Sequence, residues 1–348
     1  MLSDISTRPD MTRSRISLPT IIALAASPAL LVADDAFVTG SAVAVQTAVD
    51  RGLMVVQKAA RSYPSHRECF SCHHQTLPAF AMVTARDAGF EIDETLLGEQ
   101  VEFTRQSFAG KIEQVARGEN VGGRSATVSY ALWMFDVCRT ERNEVTDALV
   151  SYLLTRQEDD GHWTPASNRP PLEESSVSCT LLSAYGLQNF VGESQRDVAD
   201  TAIDKAQTWL KSAPLVCHED RVARLWGLQL FDQDAAVLES ARAELLSRQH
   251  ADGGWAQTDD MESDAYATGQ AVYVLRLAGV AADDAGLQKA VDYLVRTQQP
   301  DGSWHVVTRS KPIQTFFDNG DPHGKDQFIS VSATSWAVAA LAGCVRRE

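Results

Sequence analysis

Cys69, Phe70, Ser71, Cys72 and His73 place two thiols three residues apart, with an imidazole directly after the second. Two sulfurs at that spacing can form thioethers with the two vinyl groups of one porphyrin, and the adjacent imidazole is then placed to ligate the iron from one face. The pattern predicts a covalently attached c-type haem on Cys69 and Cys72, with His73 on the iron. Two other chemistries stay open for the same residues. One is a CxxC disulfide beside an unrelated histidine; the other is a zinc site of Cys69 and Cys72 with His73, His74 or a distant ligand.

Haem attachment to CxxCH and stable disulfides both belong outside the reducing cytosol, so the N-terminus bears on the choice. Met11 to Arg15 form a short basic segment, Ile16 to Ala33 is mostly apolar, and Asp34 and Asp35 follow a Leu31-Val32-Ala33 end. Residues 1–33 therefore read as a secretory signal peptide, 34–45 as a linker and 46–348 as a single domain. No later segment has the length and apolarity of a membrane span. The expected location is periplasmic or an equivalent extracytoplasmic space, with no transmembrane span in the mature chain.

The 348 residues carry a formal net charge of -15, and removing the segment with its three Arg and two Asp leaves a chain one unit more acidic. A surface of that sign repels phosphate backbones, which argues against a nucleic-acid partner. Hydrophobic residues make up 44% of the chain, enough for a large core.

What must position the CxxCH segment is a repeated unit. Residues 157–163 (QEDDGHW), 249–255 (QHADGGW) and 298–304 (QQPDGSW) share the form QxxxGxW, and the first interval is about twice the second, so one degenerate copy lies between. Each copy ends an amphipathic helix: Val145, Ala148, Leu149, Tyr152 and Leu153 recur at helical spacing, as do Leu287, Ala290, Val291, Leu294 and Val295. The glycine can take the left-handed conformation that stops a helix, the Trp can cover its end, and the Gln amide can satisfy loose backbone groups. A more uniformly apolar helix follows every turn. Amphipathic helices are predicted to begin near 46, 97, 142, 197, 235 and 283, and apolar partners near 76, 125, 175, 219, 264 and 331. Six such pairs fit an all-α, closed double ring, an (α/α)6 toroid of six helical hairpins.

QxxxGxW repeats on alternating outer and inner helices resemble the squalene-hopene cyclase and protein prenyltransferase toroids, over roughly residues 45–345. The resemblance implies a central cavity that opens where the inner helices begin and holds an isoprenoid, so an apolar or isoprenoid-like small molecule is an expected partner. A redox partner protein is the corresponding expectation for a haem-bearing chain. Trp133, Trp226, Trp336, Tyr185 and Tyr273 lie at helical spacing and read as core rather than cavity wall. Triterpene cyclases of this kind resemble one another in a DxDD acid, which is absent here; Asp232-Gln233-Asp234-Ala235 is the nearest string. Glu262, Asp264 and Tyr266, at the start of the fifth inner helix, are the catalytic candidates the resemblance implies, for a terpenoid cyclase or prenyltransferase-like enzyme. A non-catalytic scaffold is the third reading.

The loops before the inner helices bring Cys69, Cys72, His73 and His74 to the mouth of the ring, together with Arg124, Glu173, Glu174, His218 and Asp220. The sixth unit has the longest turn, 304–328, and in a closed ring it abuts the first. Its His323 is therefore expected beside Cys69 to His74, where the loop could supply the second iron ligand, with His66, His218 and Met82 as rivals, or could act as a lid on the central cavity. Cys179 and Cys217 head neighbouring inner helices, which leaves a disulfide between them open.

Overall fold

The structure, a computed structural model, describes residues 39–166, 169–231, 234–311 and 315–345. The expected signal peptide lies outside the described residues. Helix α1 (Thr39–Ser62) begins inside the segment expected as a linker and pairs with α2 (Leu77–Asp87). There follow α3 (Glu94–Ala109), the short α4 (Ile112–Ala116) and α5 (Arg124–Val137), then the pairs α6 (Glu144–Arg156) with α7 (Ser176–Phe190), and α8 (Arg196–Ser212) with α9 (His218–Phe231). Two more pairs complete the chain: α10 (Ala235–Leu246) with α11 (Ala265–Leu277), and α12 (Ala285–Thr297) with α13 (Gln327–Ala342).

Helices α2, α5, α7, α9, α11 and α13 contact one another in order, and α13 packs back on α2, so the inner ring is closed. The other long helices form the outer ring, with α12 against α1 at the seam. The fold is an all-α (α/α)6 toroid. Patterning explains the two layers. In α13 every residue but Phe328 is buried, whereas α12 buries Leu287, Ala290, Val291, Tyr293 and Leu294 along one face. Gly269 lets α11 and α13 approach closely, since a Cβ there would lie 2.8 Å from the carbonyl carbon of Trp336.

The three QxxxGxW turns are near copies. Each Trp is fully buried and its indole donates to a carbonyl of the helix just ended: Trp163 to Leu153 at 2.9 Å, Trp255 to Leu245 at 2.8 Å, Trp304 to Leu294 at 2.8 Å. Each Gln amide donates to the carbonyl of its own turn glycine and to the next outer helix, at Ala202, Gly286 and Ala48 respectively. The second set of bonds was not foreseen. It makes the motif a staple between neighbouring outer helices, and the bond from Gln298 to Ala48 (2.8 Å) fastens the last unit to the first. Gly302 has φ +92° and lies where a Cβ would meet the Arg51 carbonyl oxygen at 2.6 Å, so no other residue fits.

Five inner helices each send one aromatic ring to the axis: Phe80, Trp133, Trp226, Tyr273 and Trp336. Their centroids stand 4.8–6.4 Å apart, mostly edge-on or tilted, and they fill the centre of the ring. The fifth expected core aromatic, Tyr185, is also buried, with its hydroxyl donating to Asp136.

Candidate functional site at the mouth of the ring

Every inner helix starts at the same end of the toroid, so their first turns converge on one mouth. Glu219, in the first turn of α9, is the centre of that convergence. Its Oε1 accepts from Ser178 Oγ of α7 (3.1 Å), and its Oε2 accepts from Gln270 Nε2 (2.9 Å) and Tyr266 Oη (3.1 Å) of α11. The carboxyl is buried, and burial pushes its pKa up to about 7 against the pull of those three hydrogen bonds. Trp226 lies seven residues, or about 10 Å, further along the same helix face, and Tyr273 is displaced likewise from Tyr266. A polar layer at the mouth thus sits above the aromatic layer.

Other groups face the same space. Burial raises the hydroxyls of Tyr130 and Tyr266 well above the ordinary tyrosine value, with the Glu219 carboxylate adding to both. Burial, then Glu173, raises the Cys72 thiol to about 12, which makes it a weak nucleophile. Glu173 pairs with Arg169 through two parallel bonds. Gln270 Oε1 and His218 Nε2 are buried without a partner among the described residues. Burial drives the His218 pKa down to about 3, so that imidazole is neutral.

A strap from the sixth unit covers this mouth. Arg309 donates to Gln257 (2.9 Å) in unit five and to Glu174 (3.0 Å) in unit three, and Ser310 Oγ donates to the carbonyl of Pro170 (2.7 Å). The strap is anchored behind by Asp326, which accepts from Thr308 N and bonds His305 Nε2, both at 3.0 Å.

Of the expected catalytic set, Tyr266 bonds Glu219, whereas no bond joins Asp264 or Glu262 to that carboxyl among the described residues. Asp264 is the N-cap of α11: Oδ1 accepts from Ala267 N and Oδ2 from Gln257, each at 2.9 Å. Glu262 is exposed. Asp220 likewise holds a turn, accepting from Val216 N, Cys217 N and Ser175 Oγ. Glu219 was missed although both its neighbours were singled out.

The CxxCH segment lies at the mouth as expected, in the approach to α2. Cys72 to Thr76 form one π-turn that runs straight into that helix. Cys69 is exposed with its Sγ 3.8 Å from Tyr63 Oη, and Cys72 is half-buried. None of the six cysteines forms a disulfide, so Cys179 and Cys217 are not paired. His73 Nδ1 bonds Ser71 Oγ (2.8 Å) and His74 Nδ1 (2.5 Å), and its ring stacks on Phe328 at 4.9 Å.

The sixth-unit loop does pack beside this segment, but through different residues than expected. Phe317 contacts Tyr63 and His66, and Asp321 bonds His74 Nε2 at 2.8 Å. His323 faces away: its Nε2 bonds Ser303 Oγ (2.7 Å) and its ring stacks on His305 at 4.4 Å, because the loop turns at its left-handed φ of +77°. It is not brought to His73. Met82 is fully buried in α2. Among the described residues, no three His, Cys, Asp or Glu side chains converge as a metal-ion site. The zinc set of Cys69, Cys72, His73 and His74 is not assembled, since Cys69 stands at the surface and His74 is turned into the core.

Comparison with known proteins agrees with the architecture. Residues 238–314 match the family model described as the squalene-hopene cyclase N-terminal domain. Drimenyl diphosphate synthase of Streptomyces showdoensis is 38% identical over 80 residues, covering 23% of this chain and only 14% of that protein. A type II terpene cyclase from Scytonema, solved with merosterolic acid A, superposes with a TM-score of 0.56 at 15% identity, over 88% of this chain and 99% of its own. A glycosidase superposes with a TM-score of 0.61 at 12% identity, over 89% and 99%. At such identities the shared property is the fold, an α/α toroid.

Proposed function

We propose that the protein handles an isoprenoid-like molecule at the mouth of the toroid, with Glu219 as its acid. The observation that carries this reading is the buried carboxyl itself, held by Ser178, Tyr266 and Gln270 and raised to about 7. A carboxyl with that pKa is substantially protonated near neutral pH and can deliver a proton inside a water-poor space. Donation to an alkene carbon forms a C–H bond from the π pair and leaves a cation on the neighbouring carbon. The ring faces of the aromatic layer stabilise positive charge, and loss of a proton from an adjacent carbon to the Glu219 carboxylate restores both the alkene and the acid. The partial sequence similarity to squalene-hopene cyclases and to a drimenyl diphosphate synthase supports the substrate class. The rings already fill the axis, which favours a short prenyl end over a long folded chain.

The test is incubation with a graded series of prenyl diphosphates and squalene, with product analysis by mass spectrometry. Wild-type protein is expected to convert or bind one class, and Glu219→Gln to lose conversion by about 100-fold or more while remaining folded. Equal turnover by Glu219→Gln, or neither product nor binding with any member, overturns the reading.

A second reading, a covalently tethered c-type haem on an exported chain, is favoured by the donor set. Neither thiol is in a disulfide, Cys69 is exposed and Cys72 half-buried, and the bond between Ser71 and His73 Nδ1 leaves Nε2 for iron. Cys69 and Cys72 would hold the porphyrin and His73 its iron, and the group when bound would supply one-electron redox chemistry to a partner protein. Expression with haem-attachment machinery and a haem stain on a denaturing gel decides it; an unstained band removes this reading and leaves the first intact.

A further inference from the structure

Two polar side chains at the mouth, on helices that stand opposite each other, each keep one hydrogen-bonding group without a partner among the described residues. Gln270 of α11 is 2% exposed; its Nε2 donates to Glu219 Oε2 (2.9 Å) and to Tyr266 Oη (3.2 Å), while its Oε1 is buried with no donor. Turned end for end, the amide would leave its nitrogen without an acceptor instead, so either orientation has one unanswered end. Tyr130 of α5 is 5% exposed, and its ring is tilted against Trp133, one turn deeper on the same helix, with centroids 5.9 Å apart. Thr76 Oγ1 donates to the Tyr130 carbonyl (2.9 Å), but the phenol hydroxyl makes no hydrogen bond among the described residues.

The two groups look onto one space. In the closed inner ring α5 and α11 are three helices apart in either direction, and Glu219 of α9 bears on the Tyr130 hydroxyl more strongly than any other charged group. Tyr266, which bonds both Glu219 and Gln270, feels Tyr130 as well. A buried polar group without a partner forfeits the bond it makes to water in the unfolded chain, so two of them over one space are a cost that a bound molecule would remove. A hydroxyl answers both, since it donates and accepts, and it serves the Gln270 amide in either orientation. The guanidinium groups of Arg169 and Arg309 over the mouth are already paired with Glu173 and Glu174, so a diphosphate would have to displace a carboxylate to reach either. A hydrocarbon would leave Tyr130 and Gln270 as they stand.

We propose that the mouth recognises the neutral hydroxyl of an isoprenoid alcohol, with Tyr130 and Gln270 as its hydrogen-bond partners and the aromatic layer beneath its chain. This rests on the isoprenoid reading and narrows its substrate class. In an allylic alcohol the double bond adjoins the carbon that bears the oxygen, so the same seat brings an alkene to Glu219. An ordered water in place of the hydroxyl would confer no preference among head groups.

The experiment is calorimetric titration of the full chain with three probes that share one prenyl chain and differ at its head: farnesol, farnesene and farnesyl diphosphate. Farnesol is expected to bind about tenfold or more tighter than either of the others. Tyr130→Phe should weaken farnesol about tenfold and leave farnesene unchanged. Farnesene or farnesyl diphosphate binding as tightly as farnesol overturns the proposal and leaves the isoprenoid reading standing. So does a folded Tyr130→Phe that binds farnesol as wild type does, or that weakens both probes alike, the mark of a merely structural tyrosine. Should Tyr130→Phe not fold, the ranking of the three probes on wild type decides. Binding of none of the three also overturns the proposal, and the isoprenoid reading falls with it only if squalene and the shorter prenyl diphosphates fail as well.

Discussion

The periphery and the mouth of this toroid are built on opposite rules. At the periphery, three turns repeat one geometry almost bond for bond: an indole to the carbonyl ten residues before it, and a Gln amide to its own turn and to the next outer helix. At the mouth, equivalent positions of six inner helices carry different residues, and their chemistry appears only when Ser178, Glu219, Tyr266 and Gln270 meet across three helices. Repetition marks what holds the ring closed, and departure from repetition marks what the ring is for. The outer turns should therefore answer to stability measurements, and the mouth to ligand and proton measurements.

The largest expected effect is at the seam. Trp304→Ala removes a fully buried indole and its bond to Leu294, and should cost about 4 kcal/mol, read by urea unfolding. The equivalent change at Trp163 should cost a similar amount; a difference of several kcal/mol between them would break the claim that the turns are equivalent.

Next is the pH dependence that Glu219 imposes. Its folded pKa of about 7 lies above the ordinary Glu value of about 4.3, so the folded state binds the extra proton between those values. Its contribution to stability is complete below about pH 4 and is lost as pH rises through 7, amounting to about 3 kcal/mol. Thermal unfolding from pH 4 to 8 in wild type and Glu219→Gln checks this; the variant should lack that slope.

Smaller effects separate true mouth residues from helix caps. Asp264→Ala should lower stability by about 1 kcal/mol through loss of the α11 cap. Ligand turnover relative to folded protein should hold, and a turnover loss as large as that of Glu219→Gln would return Asp264 to the catalytic set. Glu262→Gln should change stability by less than about 0.5 kcal/mol, as measured by the same unfolding assay.

The contrast also explains what could be read from the chain alone. The helical hairpins were legible because burial imposes a period: α3, α6, α8, α10 and α12 begin within three residues of their expected starts, as do the inner helices apart from α13, which starts four residues early. The glycine and Trp of each turn were legible because few residues serve those geometries. The second bond of each Gln was not, since the partner lies in another unit and is a bare carbonyl. Glu219 was hidden within His218-Glu219-Asp220, where any acid complements a helix start. Its seven-residue spacing to Trp226, shared by Tyr266 and Tyr273, was the signal that a common inward face existed. The path of the 304–328 loop was the least legible part. Its approach to Cys69–His74 followed from ring closure, but which side chain arrives, Asp321 rather than His323, depends on a left-handed turn that no periodicity announces.

The most direct test of the account is the titration of Glu219 itself, followed by infrared difference spectroscopy of its carbonyl band in wild type against Glu219→Gln. The account predicts a protonated carboxyl at pH 5 that ionises with a midpoint near 7. A band already ionised at pH 5, with a midpoint at the ordinary glutamate value, would contradict it.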